Sequence, residues 1–417
     1  MSPESITGPL TRPIVEAAPA PAIDVAAERA RTPGVTESHH LNAAGAALPT
    51  AAVVDTVVEH LRREERDGGY EAAAAVSDRT EAVYDDIAEL VGARSAEIAL
   101  FDTATTGLRV LVDALLGAGT PRLLVSRSAY VSHALHLMAH ARRTGAGLEI
   151  LPLDPATGAV DLGALEATLR DGGPAIVFVA HLPTSCGLVE PVAALGALTR
   201  RHGARLVVDA TQSVGHLPVD VGEIGCDVLV TTGRKFLRAP RGTAFAWVHP
   251  DVLPALEPRA PDVRGAAWTA EREWTLSGTA RRFETWEHSV ACRLGLGVAV
   301  RETIERGLGV TAAHLVALGA SLREQLRSRP GVTVRDPAAS SSGMVTFTVD
   351  GVEPAEVKNH LAAARIRVVT VPASHGQWDL GAREVPAIVR ASMHVYNDAD
   401  DLDALLSVVD TITAGPR

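Results

Sequence analysis

The stretch Leu206-Val-Val-Asp-Ala-Thr-Gln212 holds three aliphatic residues, a carboxylate and a polar turn. So short an apolar run reads as a buried strand that stops at Asp209. Similar runs occur at Leu123–Val125, Leu148–Leu151, Ile176–Ala180, Val228–Thr231 and Ala244–Val248. Most are bounded by Gly, Pro or charged residues. Helix-like segments, Leu162–Leu169 and Val192–Arg201 among them, separate several of the runs. This alternation predicts an α/β fold with a mostly parallel sheet and crossover helices. Ligands of such sheets sit beyond the carboxyl ends of the strands, which aims Asp209 at a ligand crevice.

Working outward, Val83, Ile87, Leu90 and Val91 share one helical face. Past about residue 300 the pattern changes to a helix (311–328), a strand (344–349), a helix (354–364), a strand (368–371) and a last helix (398–412). The expected organisation is a large domain over 37–300 and a smaller C-terminal α+β lobe over 301–417. Residues 1–36 are rich in Pro, Ala and Glu and show no repeating apolar face, so they read as a flexible arm.

Composition limits the function classes. Aromatic residues are only 4% of the 417, so Ala, Val and Leu must build the core. A net charge of −11 argues against a nucleic-acid surface and against attraction to an anionic membrane. No apolar run approaches the roughly 20 residues of a membrane helix. Cys186, Cys226 and Cys292 are too widely spaced for a disulfide framework or a zinc site, which points to a reducing, cytoplasmic location.

The chemistry concentrates on a second strand end, Thr231-Thr-Gly-Arg-Lys235. If the two strands are neighbours, Lys235 and Asp209 face a common ligand. Pyridoxal 5′-phosphate (PLP) needs that pair: an amine to form an imine with its aldehyde and a carboxylate to keep its pyridine nitrogen protonated. Upstream, Phe101-Asp-Thr-Ala-Thr-Thr-Gly107 precedes an apolar helix. Its hydroxyls and free N–H groups suit a phosphate, although such a stretch by itself is equally a helix cap. His133, His136 and His140 share a helical face with no carboxylate or cysteine to complete a metal sphere, and read as helix surface or dimer contact.

The ordered set Ala104-Thr-Thr-Gly107, His181, Asp209-Ala-Thr-Gln212, Lys235-Phe-Leu-Arg-Ala-Pro-Arg-Gly-Thr243 and Val389-Arg-Ala-Ser392 resembles the class V aminotransferases, fold-type I PLP enzymes. The resemblance runs from about 38 to 412. It implies that Lys235 forms the cofactor imine, Asp209 pairs with the pyridine nitrogen and Gln212 bonds the ring hydroxyl. Thr105, Thr106 and Arg234 would hold the phosphate, and Tyr130 would cover the ring. His181 would touch the cofactor; the alternative for His181 and His216 is a satisfied core histidine. Arg390 would clamp the substrate carboxylate, and Asn42 would line the same pocket. A homodimer with shared active sites is implied as well.

Two departures narrow the reaction. The stretch Thr370-Val-Pro-Ala-Ser-His-Gly-Gln-Trp378 lacks the nucleophilic cysteine that cysteine desulfurases carry shortly before the substrate arginine. Arg281-Arg-Phe-Glu-Thr-Trp-Glu287 lacks the glycine–threonine pair with which desulfurases reach the neighbouring subunit's phosphate. Arg282 is the candidate substitute there, and Glu287 is expected to face an arginine or the substrate. Both departures, with Thr232-Gly-Arg-Lys-Phe-Leu-Arg238, Arg281-Arg-Phe-Glu284 and Ala382-Arg-Glu-Val-Pro-Ala-Ile-Val-Arg-Ala-Ser392, resemble the ergothioneine-pathway lyases that cleave hercynylcysteine sulfoxide. That similarity implies C–S β-elimination on a small amino acid, a cysteine-derived sulfoxide or thioether. Transamination, epimerisation and carbon–carbon bond formation share the same first steps and remain alternatives. An inactive PLP-fold binding module fits less well, because Lys235, Asp209 and Arg390 are all present.

Overall fold

A computed structural model describes residues 22–414 except 118, 120 and 171. Seven strands form the central sheet: β1 (Ile98–Phe101), β2 (Arg122–Val125), β3 (Leu148–Ile150), β4 (Ala175–Ala180), β5 (Arg205–Asp209), β6 (Val228–Thr232) and β7 (Ala244–Val248). Their spatial order is β1-β7-β6-β5-β4-β2-β3. All neighbours are parallel except β7, which runs antiparallel to both β1 and β6.

Alternation explains why these strands read as nearly unbroken apolar runs. Val177, Val179, Leu206, Val208 and Leu229 enter one hydrophobic cluster. Ile176, Phe178, Val207, Val228 and Val230 enter another on the opposite face. Full burial of such a side chain contributes about 1.5–3 kcal/mol. A charge in place of Val208, which is fully buried, would therefore break the sheet at its centre.

A second, four-stranded antiparallel sheet belongs to the C-terminal lobe. It comprises β8 (Val332–Val334), β9 (Met344–Val349), β10 (Val369–Pro372) and β11 (Ala387–Ser392), in the order β8-β9-β11-β10. Its core includes Leu41, Ala43, Ala44 and Ala47, so the N-terminal segment packs with the C-terminal lobe. His39 and His40 also pair in parallel with Ile366 and Arg367.

Several expectations need correction. The division at residue 300 falls inside one helix, Val290–Arg306. The flexible arm does not extend to 36, because Val25–Ala30 is helical and Pro33–Thr36 forms a 3₁₀ turn. The helix is anchored by a buried charge, Glu28, rather than by an apolar stripe, so a search for an apolar face passes over it. The remainder of that expectation, residues 1–21, lies outside the described residues. The three helix histidines are not a surface. His133 and His140 are buried, and His136 Nε2 bonds Asp113 Oδ1 at 2.9 Å.

Candidate active site

The strands β5 and β6 are adjacent, with Asp209 opposite Val230. Their carboxyl ends open into a cavity of about 390 Å³. From the large domain, Thr105, Tyr130, Asp209, Thr232, Arg234 and Lys235 line it; Val369, Thr370, His375 and Arg390 come from the C-terminal lobe. Strand β6 can turn sharply into Lys235 because residue 233 is glycine. A Cβ there would collide with Thr243 Oγ1 and with Ala239 Cβ.

Burial pushes the Lys235 amine down to about 7, and Arg234 pushes the same way. Asp209 opposes the shift and Arg390 adds to it. The amine is thus substantially neutral near neutral pH, the state a nucleophile or proton acceptor requires. Asp209 Oδ1 accepts the Thr211 N–H at 3.0 Å, which fixes the carboxylate over the strand end. Arg390 lies on β11, the inner strand between β9 and β10, and donates from Nη1 to Thr184 O (3.0 Å) and Thr184 Oγ1 (2.6 Å). Burial lowers its pKa to about 10, so it remains a cation at neutral pH.

The helix Ala104–Leu116 starts at the cavity wall. Thr103 caps it, accepting the Thr106 N–H at 3.0 Å. The cap leaves the first N–H groups of the helix, and the positive end of its dipole, directed at the cavity mouth. Thr105 lines the cavity, whereas Thr106 does not. The Thr106 hydroxyl lies 2.9 Å from that of Thr103, and the residue borders a neighbouring cleft with Glu287, His288 and Arg293.

Other expected residues stand one layer back. Gln212 is buried and donates from Nε2 to Ala44 O at 3.2 Å. His181 is buried behind Asp209, whose carbonyl accepts its N–H at 2.9 Å, and burial lowers its imidazole to about 4. Asn42 bridges to Ser392, while its neighbours Ala44 and Gly45 line the cavity. His216 is a core residue, accepting the Gly343 N–H at 2.9 Å. Arg282 is not a phosphate ligand of this cavity. It donates to the carbonyls of Leu253, Leu256 and Ser277. Glu287 shares a cleft with Arg264 and Arg293, although the buried partner of both arginines is Glu284.

Sequence reasoning missed Thr184, Arg241, His133 and His375, all of which line the cavity. Thr184 was findable: it lies just beyond the carboxyl end of β4, where ligand contacts collect. His133 is fully desolvated, which lowers its pKa to about 3 and keeps it neutral.

Five buried polar atoms on or just behind these walls have no partner among the described residues: Asn42 Oδ1, His133 Nε2, His181 Nδ1, Gln212 Oε1 and Arg390 Nε. Each such group costs about 1–3 kcal/mol unless something bonds it. A planar ring with a hydroxyl and a phosphate, together with a substrate carboxylate, supplies the complementary groups. The donor set therefore fits PLP and an amino acid.

Similarity to known proteins agrees with this chemistry. The family described as "Aminotransferase class-V" matches residues 39–405. The chain is 32% identical over 384 residues to a probable hercynylcysteine sulfoxide lyase of Mycobacterium tuberculosis, covering 90% of each. It is 29% identical to a cysteine desulfurase of Klebsiella pneumoniae, covering 89% of this chain and 93% of the relative. Among solved structures, a cysteine desulfurase of Thermococcus onnurineus superimposes with a TM-score of 0.87 at 22% identity, over 95% of this chain and 100% of that one. A structure of the C-DES protein with glycine covalently linked to its PLP cofactor gives 0.81 at 22% identity, over 92% and 99%. No described helix is long and apolar enough to cross a membrane. With Lys235 and Asp209 on adjoining strand ends and a class-V match spanning most of its length, the chain belongs to the class-V aminotransferases, fold-type I enzymes whose cofactor is PLP.

Proposed function

We propose that this enzyme is a C–S lyase that performs β-elimination on a cysteine-derived sulfoxide or thioether, with a hercynylcysteine-type sulfoxide as the first candidate. The observation that carries the reading is the make-up of the cavity. Among its described lining residues there is no cysteine to take up sulfur as a persulfide, and the three thiols are elsewhere. That weighs against desulfuration and leaves departure of the sulfur group from the β-carbon. The 32% identical lyase relative supports the same choice.

PLP, when bound, supplies an electron sink that makes the substrate α-proton acidic. Asp209 would hold the pyridine nitrogen protonated, and Gln212 Oε1 would meet the ring hydroxyl. Thr105, the N–H groups at the start of its helix and Arg234 would hold the phosphate, with Tyr130 beside the ring. Arg390 keeps Nη1 on Thr184, so Nε and its adjoining edge would receive the substrate carboxylate as a fork. Lys235 Nζ, whose pKa burial lowers to about 7 so that about half of it is neutral at pH 7, would accept the α-proton.

Pyruvate release from an S-substituted cysteine sulfoxide tests the reading. Release well above a cofactor-only background is expected. An amino group appearing on an added keto acid without pyruvate would instead identify an aminotransferase. Solvent deuterium at the α-carbon with neither product would identify an epimerase.

We also infer that the working form is a homodimer. Trp268 and Trp274 pair across the hairpin Ala266–Ala270/Glu273–Leu276 and are 82% and 55% exposed, and Val54, Val58 and Leu61 leave an apolar helix face in solvent. Surface of this kind is uncommon on monomers. Sedimentation should give twice the chain mass; a fully active monomer would end the idea.

A further inference from the structure

The residue three places after Lys235 has an unusual backbone. Arg238 has a φ of +64°, in the left-handed region that a side chain rarely adopts. Its N–H donates to the Lys235 carbonyl at 2.9 Å, closing a turn over residues 235–238. Strain of this kind persists only where the surroundings over-determine it. Here they do so through the guanidinium, which is 1% exposed.

Arg238 Nε donates to Leu48 O at 2.8 Å and Nη1 to Glu28 Oε2 at 2.9 Å, while Nη2 donates to Thr32 Oγ1. The guanidinium also stands 5.2 Å from the centre of the Tyr396 ring. Glu28 takes a second cation on its other oxygen, Arg306 Nε at 2.8 Å. Burial raises the Glu28 pKa, but the Arg306 and Arg238 guanidiniums outweigh it and hold the carboxyl below its ordinary value. Within the turn, Phe236 lies between the rings of His216 (4.1 Å) and His394 (5.7 Å), and His394 Nε2 bonds the Phe236 carbonyl at 3.0 Å.

We propose that Glu28, on the N-terminal helix, is a positioning residue for Lys235: through Arg238 it holds the turn that aims the amine into the cavity. Glu28 touches neither the cavity wall nor Lys235, and acts only through the turn. Loss of its charge leaves two buried guanidiniums without a carboxylate, a situation that buried pairs tolerate poorly. The Arg238 backbone then has less reason to stay left-handed, and Lys235 moves with it.

The inference rests on Lys235 as the attachment point for PLP. The test loads full-length protein with PLP and follows the visible band of the lysine-bound cofactor. Two quantities are read: the pH midpoint of the band and the rate of cofactor loss on dilution. Glu28→Gln should shift the midpoint and release PLP about tenfold faster, the scale of one charge-assisted hydrogen bond. Thr32→Val should change both in the same direction by less, and covers the case in which Glu28→Gln fails to fold. Leu165→Ala, on the buried face of the helix Leu162–Arg170, lowers stability without touching the turn and should change neither. If Glu28→Gln and Thr32→Val behave like Leu165→Ala at matched loss of melting temperature, the positioning role is wrong. Lys235→Ala separates the two readings. A persisting band there overturns the assignment of Lys235 itself; a lost band, with Glu28→Gln holding PLP as firmly as the unaltered protein, overturns only the role of Glu28.

Discussion

One wall of the Lys235 cavity is made of strand ends from the seven-stranded sheet, and the facing wall comes from the C-terminal lobe. Asp209 ends one of two adjoining parallel strands buried on both faces, and Lys235 sits in the turn that follows the other. Arg390 is fixed by an antiparallel strand of the smaller sheet and by its two bonds to Thr184 across the gap. The first wall carries the groups whose protonation matters to chemistry. The second carries a cation, Arg390, and an imidazole, His375, which suit recognition. Rigid strand ends suit the reacting groups, because small misplacements there are costly.

This contrast makes unequal predictions for the two walls. Lys235→Ala should have the largest effect, lowering turnover in the pyruvate assay by about 10²–10⁴-fold, the usual worth of a positioned proton acceptor. A loss smaller than tenfold would move the proton transfer to another residue. Arg390→Lys keeps the charge but loses the planar fork, and should raise KM by about tenfold to a hundredfold with a smaller change in kcat. If kcat falls more than KM rises, the lobe wall takes part in the chemistry and the contrast fails.

Legibility in the sequence follows the same division. Strand β7, the helix Val192–Arg201 and β9 have the bounds their apolar patterns give. The ends of β5 and β6 were readable because an aliphatic run met a single polar residue there. Strand β11 was not, because Arg390 and Ser392 interrupt its apolar residues and hide its period. Strand β1, Ile98-Ala-Leu-Phe101, was missed although it is as long as β2 and as apolar, so nothing in its residues hid it. At the site, the resemblance supplied the chemistry of Thr106, Gln212, His181 and Asn42, but spacing alone could not say which side chains reach the cavity surface. Thr105 and Thr106 are adjacent on a helix and so point about 100° apart. Thr105 lines the cavity, while the Thr106 hydroxyl turns to that of Thr103.

The bond between Glu28 and Arg238 spans 210 residues, and that between Glu28 and Arg306 spans 278. Contacts so distant in the chain require large loops to close before they return any stabilisation. The helix Val25–Ala30 precedes Arg238 and Arg306 in the chain, so its carboxylate lacks both partners until those residues have been made. Completion of the lysine turn is thereby tied to closure of these long loops, and a chain truncated before Arg306 would lack one of the two buried cations that hydrogen-bond Glu28.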